Sequence, residues 1–285
     1  TMKTRFIFLF VVLFCIVPFL QAQSLADRIG VCASVNKAPL LKQAGCSYVE
    51  IGIRSFLVPD KPDSIFEANL QAAKDAVLPL YSGNSFFPGD LRLTGPDVCL
   101  DKIMEYGEVA IRRAREAGIK VLVLGSGSAR NIPDGFSREE ATGQFTALCR
   151  RLARYAAGYD VCIAIEPLQS SETNFINTVR EGTAIAEKVN HPNLGVLADF
   201  FHMLRENEDA EALVDAGKWL KHCHIAEKEI RSAPGVKGDD FTPFFKALHR
   251  AGYTGSLSIE CKWENMDDQL AASVASIKEQ IYKSY

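Results

Sequence analysis

The sequence predicts a (β/α)8 TIM barrel, α/β in class, from three observations. Short apolar runs alternate with amphipathic helical segments along the chain. Eight runs and eight helical segments are present, and strands alternating with helices build a parallel sheet that eight units close into a barrel. The later runs end at an acid or a histidine, at the carboxyl-terminal rim where barrels of this class keep their chemistry.

The strand-like runs are 28–33, 48–52, 77–81, 120–124, 161–166, 195–199, 221–225 and 256–260. Helical patterns fill 38–44, 65–76, 98–117, 138–157, 175–189, 210–216, 241–251 and 267–284. Three of these helices end in Ala-Gly, at 44–45, 117–118 and 251–252, where glycine supplies a left-handed cap before the next strand. Strand parity agrees with a barrel, since side chains alternate faces along a strand. With Glu166 inward, Ala164 and Cys162 share the interior and Ile165, Ile163 and Val161 face the helices. With Glu260 inward, Ser258 and Ser256 join it; with His224 inward, so does His222; Asp199 inward turns Ala198 and Val196 outward.

Residues 1–23 read as a secretory signal peptide: Lys3 and Arg5, an apolar run from Phe6 to Leu20, then the small and polar Gln21-Ala22-Gln23. At about 15 residues the run is shorter than the ~20 that span a bilayer. The expectation is an exported protein, periplasmic or secreted, with no stable membrane span after cleavage and a single barrel domain over 24–285. Lys+Arg 32 against Asp+Glu 35 leaves no basic footprint for nucleic acid. Of eight cysteines, Cys15 leaves with the signal and none forms a CxxC. Cys162, Cys223 and Cys261 lie in predicted strands and read as small buried hydrophobes, while a Cys32–Cys46 bridge stays open.

Glu166, Asp199, His224 and Glu260 stand at the ends of the runs VCIAIE, LGVLAD, KHCHIA and SLSIE, each about one strand-plus-helix unit from the next. Three carboxylates and one imidazole on one rim suit a single divalent cation, Mn²⁺ or Mg²⁺ by the oxygen-rich set, with Co²⁺ or Zn²⁺ tolerated through the histidine. Glu50, in YVEIG, reads either as a substrate contact in the mouth or as an ion-pair partner. His222 reads as a packed histidine. The GSGS stretch at 125–128 reads as a strand-to-helix loop, because no lysine follows in P-loop spacing. Phe86, Phe87 and Trp263 follow strands and suit either packing or a sugar face.

These residues resemble the xylose isomerase-like TIM barrels, also labelled sugar phosphate isomerase/epimerase, and within them the ketose 3-epimerases. The resemblance spans nearly the whole chain after 24. It is carried by IEP at 165–167, DFFH at 199–202, HCHIAE at 222–227, APG at 233–235, FTPFFKAL and GYTGSLSIE at 252–260. It implies that Glu166, Asp199, His224 and Glu260 hold the metal; beside the resemblance, Glu166 and Glu260 on strands five and eight could approach a sugar from different sides, one removing a proton and the other returning one. The resemblance also implies that His202, Glu172 and Arg231 contact substrate, with Arg231 one residue later than the epimerase pattern, and that the protein forms a homo-oligomer. The related DNA-repair endonucleases carry extra histidines on the third and fourth strands, and VLPLYSGNSFF and KVLVLGSGSAR contain none. The expected activity is proton transfer on a free sugar or sugar derivative through an enediolate, as an isomerase or epimerase. A lyase or dehydratase acting on a keto-sugar or keto-glycoside, and a sugar-binding barrel without turnover, are the alternatives.

Overall fold

The computed structural model describes residues 25–284; the expected signal segment lies outside the described residues. Eight parallel strands close into one barrel in chain order: β1 (Ile29–Cys32), β2 (Tyr48–Gly52), β3 (Leu80–Asn84), β4 (Val121–Leu124), β5 (Cys162–Ile165), β6 (Leu194–Asp199), β7 (Leu220–Ile225) and β8 (Ser256–Ile259). β1 pairs with both β2 and β8, through Gly30↔Tyr48 and Gly30↔Ser258, which seals the cylinder.

Outside the strands lie α1 (Ala38–Gln43), α2 (Ile53–Phe56), α3 (Asp63–Lys74), α4 (Leu100–Glu116), α5 (Gly127–Arg130), α6 (Arg138–Ala157), α7 (Val179–Val189), α8 (Phe200–Glu206), α9 (Glu211–Ala216), α10 (Thr242–Arg250) and α11 (Met266–Tyr282). The apolar faces of the longer helices pack on the outward strand residues, Ile163, Ile165, Val196, Ala198, Cys223, Ile225, Leu257 and Ile259, in one continuous core. The parity argument therefore holds on β5 to β8. A separate small cluster of Val121, Val123, Ala164 and Leu197, with Tyr81 against it, plugs the barrel interior. Burying each of its larger side chains stabilises the fold by roughly 1.5–3 kcal/mol. Tyr48 shares this floor: its ring lies across Gly30, where an added Cβ would fall 2.2 Å from it, so only glycine fits.

Two elements differ from the sequence-based expectation. The third strand begins at Leu80 rather than 77, because Pro79 has no N–H to donate and Val77 is exposed. The run of apolar letters ends just where the polar Ser82 and Asn84 turn toward the barrel mouth. The helix expected from 175 starts at Val179, where Thr178 and Glu181 form a capping box and Ile176 adopts a left-handed φ of 64°. The short helices α2, α5 and α8 were not anticipated; each occupies a strand-to-helix loop at the top of the barrel. All seven described cysteines are free, so Cys32 and Cys46 form no bridge.

Candidate metal centre and active site

Glu166, Asp199, His224 and Glu260 come from four successive strands, β5 to β8, and converge. One ligand atom from each lies within 4.8 Å of all the others. His224 is the hub: its Nδ1 stands 3.2 Å from Glu166 Oε1 and 2.9 Å from Glu260 Oε2. Asp199 ends β6 and caps α8, its Oδ1 accepting from the Phe201 N–H at 2.9 Å, which leaves Oδ2 facing the centre. The donor set fits a divalent cation. It offers three carboxylates and one imidazole from rigid strand ends, and its negative charge exceeds what the nearby cations neutralise.

Glu50 takes a different place from the mouth position anticipated as a substrate contact. It is wholly buried behind His224. Its Oε1 accepts from His224 Nε2 at 2.8 Å, while Oε2 accepts from His222 Nε2 at 2.8 Å and from the Ser82 and Ser258 hydroxyls at 2.6 Å each. Ser258 gives its one proton to Glu50 and so receives the Tyr48 hydroxyl at 2.8 Å. The carboxylate thereby holds the Nε2 proton, so Nδ1, which faces Glu166 and Glu260, is the nitrogen that would give up its proton to ligate a cation. Of the two open readings of Glu50, the geometry supports the ion pair. His222 is packed, as expected.

Charge and burial pull the acids apart. Burial works against the charge on Glu50, yet the His224 and His222 imidazoles overcome it and hold this carboxyl well below its usual range. Burial, reinforced by the charge of Glu260, raises Glu166 despite its hydrogen bond from His224. Burial also works against the charge on Glu260, a quarter of whose side chain stays exposed, but His224 and then Arg231 draw it down. His224 resists burial through Glu50 and Glu260, which raise it well above an ordinary imidazole. Burial and then Glu50 push the adjacent Cys32 thiol up, so it stays protonated and is no nucleophile.

Around this centre lies a cavity of about 220 Å³ lined in part by Asn84, Ser126, Glu172, His202 and Arg231. His202 sits one turn into α8. The Gln169 N–H donates to its Nδ1 at 3.1 Å, so Nε2 carries the proton and points at the centre, 3.4 Å from Asp199 Oδ2. That buried Nε2 has no hydrogen-bond partner within the described residues. Arg231 reaches the site in spite of its one-residue offset, its Nη2 lying 2.9 Å from Asp199 Oδ2 and 2.5 Å from Glu260 Oε2. The turn that brings it there is unusual, because Ile230 and Arg231 both take left-handed φ values, 51° and 58°. Glu227 braces the turn: its buried carboxylate accepts from the N–H groups of Gly235, Lys237 and Gly238 and from the Ser232 hydroxyl. Glu172 lines the cavity and accepts from Gln169 Nε2 at 2.6 Å. Phe87 also lines it, while Trp263 packs on the outer core.

Three residues escaped the sequence reading. Asn84 donates to Glu260 Oε1 at 2.9 Å, and its only sequence signal was a polar letter after an apolar run. Gly125 makes room for Glu166: a Cβ there would lie 2.3 Å from Oε2. Arg130 is fully buried and donates to the carbonyls of Leu124, Gly125, Phe175 and Ile176, tying the loop after β4 to the loop after β5. Burial lowers its pKa to about 10, while Glu166 and other acids support its charge.

Comparison with known proteins agrees with this architecture. An L-ribulose 3-epimerase of Methylomonas sp. (strain DH-1) is 33% identical over 169 residues, 53% of this chain and 58% of that protein. A ketose 3-epimerase of Arthrobacter globiformis is 36% identical over 111 residues, 39% of this chain and 38% of that one. The chain thus spans about half the length of the curated relatives it matches. Among solved structures, a D-allulose 3-epimerase from Methylomonas sp., in complex with D-allulose, superposes with a TM-score of 0.69 at 25% identity, covering 89% of this chain and 96% of that one. The apo 3-keto-D-glucoside 4-epimerase YcjR from E. coli superposes with a TM-score of 0.74 at 20% identity, covering 88% and 99%, a likeness of fold alone. Residues 38–280 match the sequence profile of the xylose isomerase-like TIM barrels, and the chain belongs to that family.

Proposed function

We propose that this protein is a divalent-metal-dependent isomerase or epimerase that moves a proton on the carbon beside a sugar carbonyl. The observation that carries the reading is the convergence of Glu166 and Glu260, from β5 and β8, on His224 Nδ1, with the proton of His202 Nε2 aimed at the same space. Glu166, Asp199, His224 and Glu260 would hold the cation, with Mn²⁺ or Mg²⁺ favoured by the donor chemistry. When bound, it supplies Lewis-acid stabilisation of negative charge on substrate oxygens.

The chain's own residues do the rest. One of Glu166 and Glu260 takes the proton and leaves an enediolate, and the other returns a proton from its own side of the sugar. His202 donates its Nε2 proton to a substrate oxygen. Arg231 holds Asp199 and Glu260 in place and offers its remaining N–H groups to the sugar. Glu172, on the cavity wall, accepts from a hydroxyl. Two relatives that share sequence with this chain are named as epimerases of ketoses, which supports a free sugar or sugar derivative as substrate. The 1–23 pattern supports a place outside the cytoplasm, where unphosphorylated sugars predominate, and family likeness supports a homo-oligomer.

The test is incubation of the metal-loaded protein in D₂O with free ketoses and keto-glycosides, beside Glu260→Gln. Deuterium entering next to the carbonyl, lost in the variant, is expected, and an epimer or isomer as product supports the proposal. An unsaturated product would move the reading to a lyase, and the absence of exchange with any sugar would overturn it.

A further inference from the structure

A second, larger cavity adjoins the one that holds the candidate site. It measures about 790 Å³, against about 220 Å³ for the inner one. Pockets that enclose whole small-molecule ligands run roughly 300–1,000 Å³, so the inner cavity suits a single compact ring and the outer one has room for more.

The two share a thin partition. Arg54, on α2, lines both. In the loop after β3, Gly89 faces the inner cavity while its neighbours Pro88 and Asp90 face the outer one. Phe87 of the inner wall packs against Tyr106 of the outer wall, ring centroids 5.5 Å apart. Arg54 makes no hydrogen bond or ion pair among the described residues, so its donors are free at the junction.

We infer that the outer cavity is a subsite for a second sugar ring, so that the substrate is a glycoside whose reacting ring enters the inner cavity while its glycosidic partner rests against Tyr106. The inference rests on the proposed sugar chemistry of the inner site and adds its substrate class. Asp60, Asp90 and Glu105 balance Arg54, Lys61 and Lys102 on the outer wall, which disfavours a phosphate or another strongly charged group. Mixed donors and acceptors beside a partly buried aromatic ring suit a neutral polyhydroxylated ring, whose C–H face packs on the aromatic while its hydroxyls bond to the charged groups. Arg54, Asp60 and Tyr106 line the same cavity, and the Tyr106 hydroxyl is pushed up to about 12 by burial, with Asp60 adding to the effect and Arg54 opposing it.

The test compares methyl 3-keto-D-glucoside with methyl 3-keto-cellobioside, the keto group on the non-reducing ring, for the metal-loaded protein, Tyr106→Ala and Asp90→Ala. Asp90 is exposed and makes no hydrogen bond, so its loss leaves the fold intact. The two-ring probe is expected to show at least tenfold higher kcat/KM. Both variants should lower that value tenfold or more while holding the one-ring probe within twofold. Equal rates for the two probes, or variants that lower both alike, would overturn the subsite while leaving the proposed function intact. Calorimetry with unreactive methyl glucoside and methyl cellobioside separates the two readings when neither keto probe reacts. Tighter binding of the cellobioside, lost in the variants, keeps the subsite and sinks the chemistry; equal binding sinks the subsite.

Discussion

Replacing Glu50 with glutamine removes one acceptor oxygen from a carboxylate that serves four donors. The three partners of Oε2 (Ser82, Ser258 and His222) hold the remaining amide oxygen on their side, which turns the amide NH₂ toward His224 Nε2. Two donors then face each other at 2.8 Å unless the imidazole gives up its Nε2 proton and keeps the one on Nδ1. A proton kept on Nδ1 withholds the lone pair that a cation needs. Loss of the group behind a ligating histidine typically costs 10–100-fold in metal affinity, about 1.4–2.7 kcal/mol. Titration of the metal-free protein with Mn²⁺ in a calorimeter measures it, with circular dichroism to verify the fold. Wild-type affinity within twofold in a folded Glu50→Gln protein would refute the argument that this carboxylate holds the Nε2 proton. Glu50→Asp keeps the charge but shortens the reach, and is expected to fall between the two.

Gly125→Ala should spare the fold and harm the site. Its Cβ lies 2.3 Å from Glu166 Oε2 and real contacts begin near 3.0 Å, so the carboxylate must retreat by about 0.7 Å; turnover is expected to drop by one to two orders of magnitude with little change in Tm. Arg113 is buried and donates to the Leu57, Val58 and Lys61 carbonyls and to the exposed Asp63, so Arg113→Met should destabilise the protein in denaturant unfolding by about 1–3 kcal/mol for each buried carbonyl left without a partner. Asp63 is held below its usual range first by its hydrogen bond from Arg113 and then by Arg112. Its depressed value adds stability above the ordinary carboxylate range, lost as pH falls through the folded value. The Tm gap between wild type and Asp63→Asn should therefore be widest near neutral pH and close as the solution is acidified toward pH 3.

The strands that hold the candidate ligands were the most legible part of the chain, because burial on both faces leaves a clear mark. VCIAIE and SLSIE are apolar outward, small inward and end in an acid. β3 was misplaced because its functional half, Ser-Gly-Asn, is polar, and its apolar lead-in around Pro79 is not strand. Depth was illegible. Glu50 and Glu166 are both strand glutamates, and only the barrel's closure shows that one lies behind the imidazole and the other beside it. Arg130 and Arg113 look like surface residues in the sequence, since nothing local announces the carbonyls that converge on each of them. The position of Arg231 depended on two consecutive left-handed residues without glycine, a conformation that sequence patterns do not foresee.

The two cavities draw on different parts of the chain. The candidate ligands come from β5 to β8, whereas the outer wall comes from α2, the loops after β2 and β3, and α4. Chemistry and selectivity are thus encoded in separate stretches of the gene. Mutations at outer-wall positions 59–61, 90–91 and 102–109 can remodel what is admitted while leaving Ser82 and Asn84, which bond Glu50 and Glu260, in place, and a library confined to those positions is the economical starting point for redirecting the barrel to new sugars.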